Sequence, residues 1–114
     1  MRRLIGLILA TLVVCTTAAI ANARPDAKLK LRVVVGGGTV GVIHVTAPAA
    51  KPRGCLIDCT YLYPHGTKVT LHAFGAANVT HFVGWSGACK GKSPICAITL
   101  SRDTRAVARF ALGG

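Results

Sequence analysis

Beyond residue 23, four cysteines, four histidines, three aspartates and a Gly-Trp-Ser-Gly run hold most of the chemistry this chain could do. The cysteines come as two close pairs. Leu-Ile-Asp separates Cys55 from Cys59, and Lys-Gly-Lys-Ser-Pro-Ile separates Cys89 from Cys96. Four thiolates could hold a structural zinc, but intervals of three and six residues are not those of paired metal knuckles. A thioredoxin-type redox motif has two residues between its cysteines, and the tighter pair here has three. Disulfides are the expected outcome for an even set in an exported chain. Gly91 and Pro94 allow the ends of the longer loop to meet. Two local bridges are expected, although four cysteines admit three pairings that sequence cannot choose among.

Catalysis has little to work with. Asp26, Asp58 and Asp103 are the only acids, and there is no glutamate. Glycoside chemistry needs two carboxylates held close together; Asp26 lies in the leader, Asp103 in a hairpin turn, and Asp58 has no evident mate. Ser86 in Gly84-Trp85-Ser86-Gly87 lacks the Gly-x-Ser-x-Gly spacing of a nucleophile elbow. His44, His65, His72 and His81 read as wet surface side chains, with a weak copper or zinc site across adjacent strands as the alternative. No catalytic residue, resident metal or cofactor is expected.

The cations are the best functional handle. Fourteen Lys and Arg stand against three acids, a formal charge of +11. Lys51 and Arg53 lead into the first cysteine pair, and Lys90 and Lys92 lie inside the second. Arg105 and Arg109 project from one side of the last strand, Lys30 and Arg32 from the polar side of the first. On one shared face these would form a patch for an anionic envelope polymer or lipid, or for a protein partner. Tyr61, Tyr63, Phe74, Phe82, Trp85 and Phe110 are too few, and too needed in a core, to make a dedicated nucleic-acid reader. Asn78-Val79-Thr80 fits a glycosylation acceptor, a triplet that also arises by chance.

The first residues set the compartment. Arg2 and Arg3 precede an apolar run from Leu4 to Val14, and Ala21-Asn22-Ala23 is a small-x-small cleavage pattern, so residues 1–23 read as a secretory signal peptide. A membrane anchor is the rival, but the apolar run is far short of the ~20 residues of a spanning helix. Lipidation at Cys15 is a second rival, with Val14 where such signals carry a small residue. Cleavage after Ala23 would leave 91 residues carrying +9, secreted or periplasmic, with no transmembrane segment.

What must position these residues is a set of strands. Leu29 to Val35 alternates, with Leu29, Leu31 and Val33 on one face and Lys30 and Arg32 on the other. Gly36-Gly37-Gly38 then offers a turn into Thr39 to Thr46, and the two segments are expected to pair as a first hairpin. Residues 47–54 read as loop. Val69, Leu71 and Ala73 share the buried face of the next strand. Further strands are expected over residues 79–85, 95–100 and 105–112, the last burying Ala106, Ala108 and Phe110. Phe82, Trp85 and Phe110 are the expected core anchors. The prediction is an all-β, disulfide-stapled domain of hairpins over residues 29–112. Residues 24–28 are expected to be a disordered leader and 113–114 a tail. Short helical turns around Cys55 or Ser86, or a β-grasp-like variant, are the alternatives.

The order of motifs resembles the divergent InlB B-repeat domain, also called the bacterial repeat domain. The matching positions are Cys55, Cys59, Tyr63, Gly66, Thr67, Val69, Leu71 and Ala73, then Phe82, Gly84, Trp85, Gly87, Cys89, Cys96, Ala108 and Phe110. The resemblance implies a small β-rich extracytoplasmic module for adhesion, surface display or binding, with no catalytic residues and no fixed ligand. This chain departs from the pattern in its single copy and its basic charge. The expected function is therefore a noncatalytic exported binding module with a basic face. A structural display domain is the alternative, and a small cationic effector ranks third.

Overall fold

A computed structural model describes residues 27–48 and 50–113. The expected signal peptide, Cys15 and Asp26 lie outside the described residues. Eight strands follow in order: β1 (Lys28–Gly36), β2 (Gly41–Thr46), β3 (Arg53–Cys55), β4 (Asp58–Pro64), β5 (Lys68–Gly75), β6 (Thr80–Gly87), β7 (Ile95–Thr99) and β8 (Thr104–Leu112). They make two four-stranded sheets. Sheet I runs β4-β1-β8-β6 and sheet II runs β3-β2-β5-β7.

The period-2 patterns place the sheets face to face. Leu31 and Val33 of sheet I and Ile43, Val45, Val69 and Leu71 of sheet II are fully buried in one apolar cluster. Ala106, Ala108 and Phe110 join it from β8. Lys30, Arg32, Arg105 and Arg109 alternate with these inward residues and point to water, as strand geometry requires. Trp85 is buried, and its Nε1–H donates to the Ser93 carbonyl at 2.7 Å. Phe82, half-buried, stands 5.3 Å from the Trp85 ring and 5.8 Å from that of Phe110.

The first hairpin does not form. β1 is flanked on one side by β4, antiparallel, and on the other by β8, in parallel, so it has no free edge for β2. β2 pairs instead with β3 and β5 in the other sheet. The glycine run carries the chain over β8: a Cβ on Gly37, at φ +90°, would sit 2.8 Å from the Phe110 carbonyl oxygen. Only such a close approach lets the segment arch from one sheet to the other. Alternation tells which face of a strand is buried but not which strand lies beside it.

Other expectations are corrected. Among the described residues there is no helix; Cys55 lies in β3 and Ser86 in β6, so neither helical turn nor a β-grasp arrangement is present. Residues 53 and 54, read as loop, belong to β3, and β1 starts at Lys28. β4 is a strand beyond those expected, with Tyr61 and Tyr63 buried and Thr60 and Leu62 exposed. Asp103 sits where the chain crosses from β7 in sheet II to β8 in sheet I, not in a hairpin.

Cys55 bonds to Cys59 and Cys89 to Cys96. The first bridge joins β3 to β4, the edge strands of the two sheets on one side of the molecule. The second holds the β6–β7 connection onto β7, linking the edge strands on the opposite side. A two-sheet sandwich has two open sides, and one staple clasps each.

Candidate binding cleft

Between the edges of β4 and β3 opens a cleft of about 830 Å³. Five consecutive residues of β4, Thr60 to Pro64, form one wall. Pro48 and Ala50 of the β2–β3 connection, with Arg53 of β3, form the other, and Gly66, Thr67, Lys68 and Lys28 close one end. The turn that makes this end is fixed locally. Gly66 takes φ +88°, and the Thr67 hydroxyl donates to the Pro64 carbonyl at 2.7 Å.

Arg53 pairs with Val45, whose side chain is buried, so it too leans to the inner side of sheet II. Its guanidinium lies 5.9 Å from the centroid of the Tyr61 ring on sheet I. Tyr61 and Tyr63 stand 6.4 Å apart, ring to ring. Burial pushes both phenols above their ordinary value, and the Arg53 charge pulls each partly back. They are therefore neutral at physiological pH and able to donate hydrogen bonds. Three of the lining residues, Lys28, Arg53 and Lys68, are cationic and none is acidic.

The expected cations divide: Lys30, Arg32, Arg105 and Arg109 share the outer face of sheet I, and the others lie elsewhere. Arg53 is in the cleft, and Lys51 stands exposed two residues before it. Arg105 and Arg109 lie on the outer face of sheet I, where Arg105 is in register with Arg32. Arg32 is committed to Asp58 by two hydrogen bonds, at 2.6 and 3.0 Å. Lys90 and Lys92 flank Gly91, which bridges to Trp85 in β6, at the edge of sheet I farthest from β4. Lys28 and Lys68 carry no site signal in the sequence, because each begins a strand and only the meeting of β1, β4 and β5 brings them together.

The remaining candidates take structural positions. Asp58 has Arg32 for a mate, which holds its carboxyl below the ordinary value. Asp103 accepts the backbone N–H of Lys30 at 2.9 Å. His44 and His72 are cross-strand partners, and both rings pack on Phe74. Among the described residues no group of three or more His, Cys, Asp or Glu is placed to hold a metal ion. In the acceptor triplet, the Thr80 hydroxyl is buried, accepts from the Ala76 N–H and donates to the Val40 carbonyl, so it closes the β5–β6 turn.

No family model, curated protein or solved structure matches this chain.

Proposed function

We propose that this protein is an exported, noncatalytic binding module and that the cleft between β3 and β4 takes an anionic group. One observation carries the reading: a preformed cleft with three cations, two phenol donors and no carboxylate on its walls. Concave sites that combine apolar walls with a few convergent polar groups are the default binding sites of small domains. The net charge draws anions to the whole surface; the concavity that Arg102 and Arg105 line also holds Asp103, whereas this cleft has cations and no acid. The signal-like first residues and the two disulfides support a secreted or periplasmic setting, where envelope polymers and lipids supply anionic groups. The resemblance of the motif order to the divergent InlB B-repeat domain is in keeping with an extracytoplasmic, noncatalytic module.

The test is a titration of the oxidised protein with alginate, a polycarboxylate, at low and high salt, followed by backbone amide resonances. Residues 53, 61, 63 and 66–68 should shift, and binding should weaken as salt screens the exposed charges. Arg53→Gln and Lys68→Gln should weaken it further. Shifts confined to the outer face of sheet I, or none at all, would remove the cleft from consideration.

A structural display role has one observation in its favour. Val40, Phe74 and Ile95 are exposed apolar residues on or beside sheet II, the last two on its outer face. That reading predicts binding that ignores salt and is lost with Phe74→Ser rather than Arg53→Gln.

A further inference from the structure

Sheet edges are where strands recruit other strands, and stable proteins block them. Two of the four edges of the described sheets are blocked or too short. β3 is three residues long. β6 is bulged between Phe82 and Gly84, and its Trp85 N–H is taken by the Gly91 carbonyl at 2.9 Å. β7 is five residues, and the cleft does not open along it. β4 is different: seven residues, in unbroken register with β1 from Asp58 to Pro64, and its other side faces the cleft.

The hydrogen-bond phase of that edge follows from one contact. The Val35 N–H donates to the Ile57 carbonyl at 2.8 Å, so residues 57, 59, 61 and 63 turn their backbone groups to β1. By alternation, Thr60 and Leu62 turn theirs to the open edge. The wall from Thr60 to Pro64 is about 16 Å long at 3.3 Å per residue, the length of a short strand.

Resting on the reading of the cleft as an anion site, we infer that its ligand is an extended acidic peptide segment of a protein partner, added as a fifth strand on the free edge of β4. Main-chain bonds to Thr60 and Leu62 hold such a guest, and alternate side chains give it selectivity. Those pointing into the cleft meet Arg53 and the Tyr61 and Tyr63 hydroxyls, so they are acidic. Those pointing outward lie beside Leu62, which is 56% exposed, so they are apolar.

The probe is an acetylated, amidated hexapeptide alternating Glu and Val, compared with the same peptide N-methylated at every second residue in each of the two phases. Binding of the parent should slow hydrogen exchange at the Thr60 and Leu62 amides. One of the N-methylated forms should bind about tenfold or more weakly, because two main-chain bonds are lost. Leu62→Pro deletes the edge donor without touching the bonds to β1, and should weaken binding severalfold with little change in the urea midpoint. If both N-methylated forms bind as well as the parent while Arg53→Gln weakens all three, strand addition is overturned and the anion site stands. If alginate shifts the cleft and the peptide does not, strand addition is likewise overturned. If neither ligand shifts cleft resonances, both readings fall.

Discussion

Arg53 on β3 lays its guanidinium over the ring of Tyr61 on β4, 5.9 Å from the centroid, and so spans the two sheets at their stapled edge. The contact is electrically legible, because Arg53 pulls down two phenols that burial has pushed up. Arg53→Gln should therefore move the titration of Tyr61 and Tyr63 further upward, as read by ultraviolet absorbance. A downward move would mean that the guanidinium does not face the rings in solution.

The same phenols set an alkaline limit. A group whose folded pKa is raised stabilises the native state fully below its unfolded value and loses that contribution as pH climbs through the folded one. For Tyr61 and Tyr63 the loss begins near the ordinary value of 10.0. The urea midpoint of Tyr61→Phe should fall less steeply above that pH than the wild type's. Parallel curves for the two proteins would contradict the burial of this phenol.

At the acid end the relevant pair is Arg32 and Asp58. Asp58 is held below its ordinary 3.8 chiefly by the Arg32 hydrogen bonds, with Arg105 a lesser contributor. A lowered carboxylate contributes stability above its unfolded value and loses it as pH falls through the folded one. The difference in stability between wild type and Asp58→Asn should thus be constant above about pH 5 and shrink progressively as pH falls through the ordinary 3.8 to the folded value. Because the pair is exposed, salt should shrink the difference. A gap that persists in strong acid would show that Asp58 acts by something other than its charge.

Gly41 tests the core. A Cβ there would lie 2.6 Å from the buried Phe110 ring, whereas one on Gly54 would meet nothing closer than 3.5 Å. Gly41→Ala should cost about 1–3 kcal/mol through overpacking, and Gly54→Ala should be near neutral. Equal midpoints in chemical denaturation would place Phe110 elsewhere.

The staples differ in reach. Replacing both Cys89 and Cys96 by serine should cost about 2.5 kcal/mol and replacing Cys55 and Cys59 about 2 kcal/mol, following the loop lengths they close. The first pair should also red-shift Trp85 fluorescence. Its bridge holds the connection whose Ser93 carbonyl accepts the indole N–H. An unshifted spectrum would mean that the sheets alone bury the ring.

Much of this fold is legible in the residues, strand by strand. Leu31 and Val33, and Val69 and Leu71, alternate with polar neighbours, Ala106 and Ala108 alternate with Arg105, Val107 and Arg109, and each lies inward as its period demands. β4 was legible too, since Tyr61 and Tyr63 alternate with Thr60 and Leu62. The cleft was not. Arg53 stood out only as one cation among several, and nothing near Lys28 or Lys68 marks them as its neighbours.

The chain by itself determined the all-β class, the inward and outward faces and the aromatic centre. These depend on side-chain polarity at period two, a local property. Only the tertiary structure decided that β1 joins β8 in parallel rather than β2 in a hairpin, and that the staples clasp opposite sides of a sandwich. It alone opened a cationic cleft along β4. Strand neighbours are chosen by competition among distant segments for the same edge, and that competition leaves no trace in any short stretch of sequence.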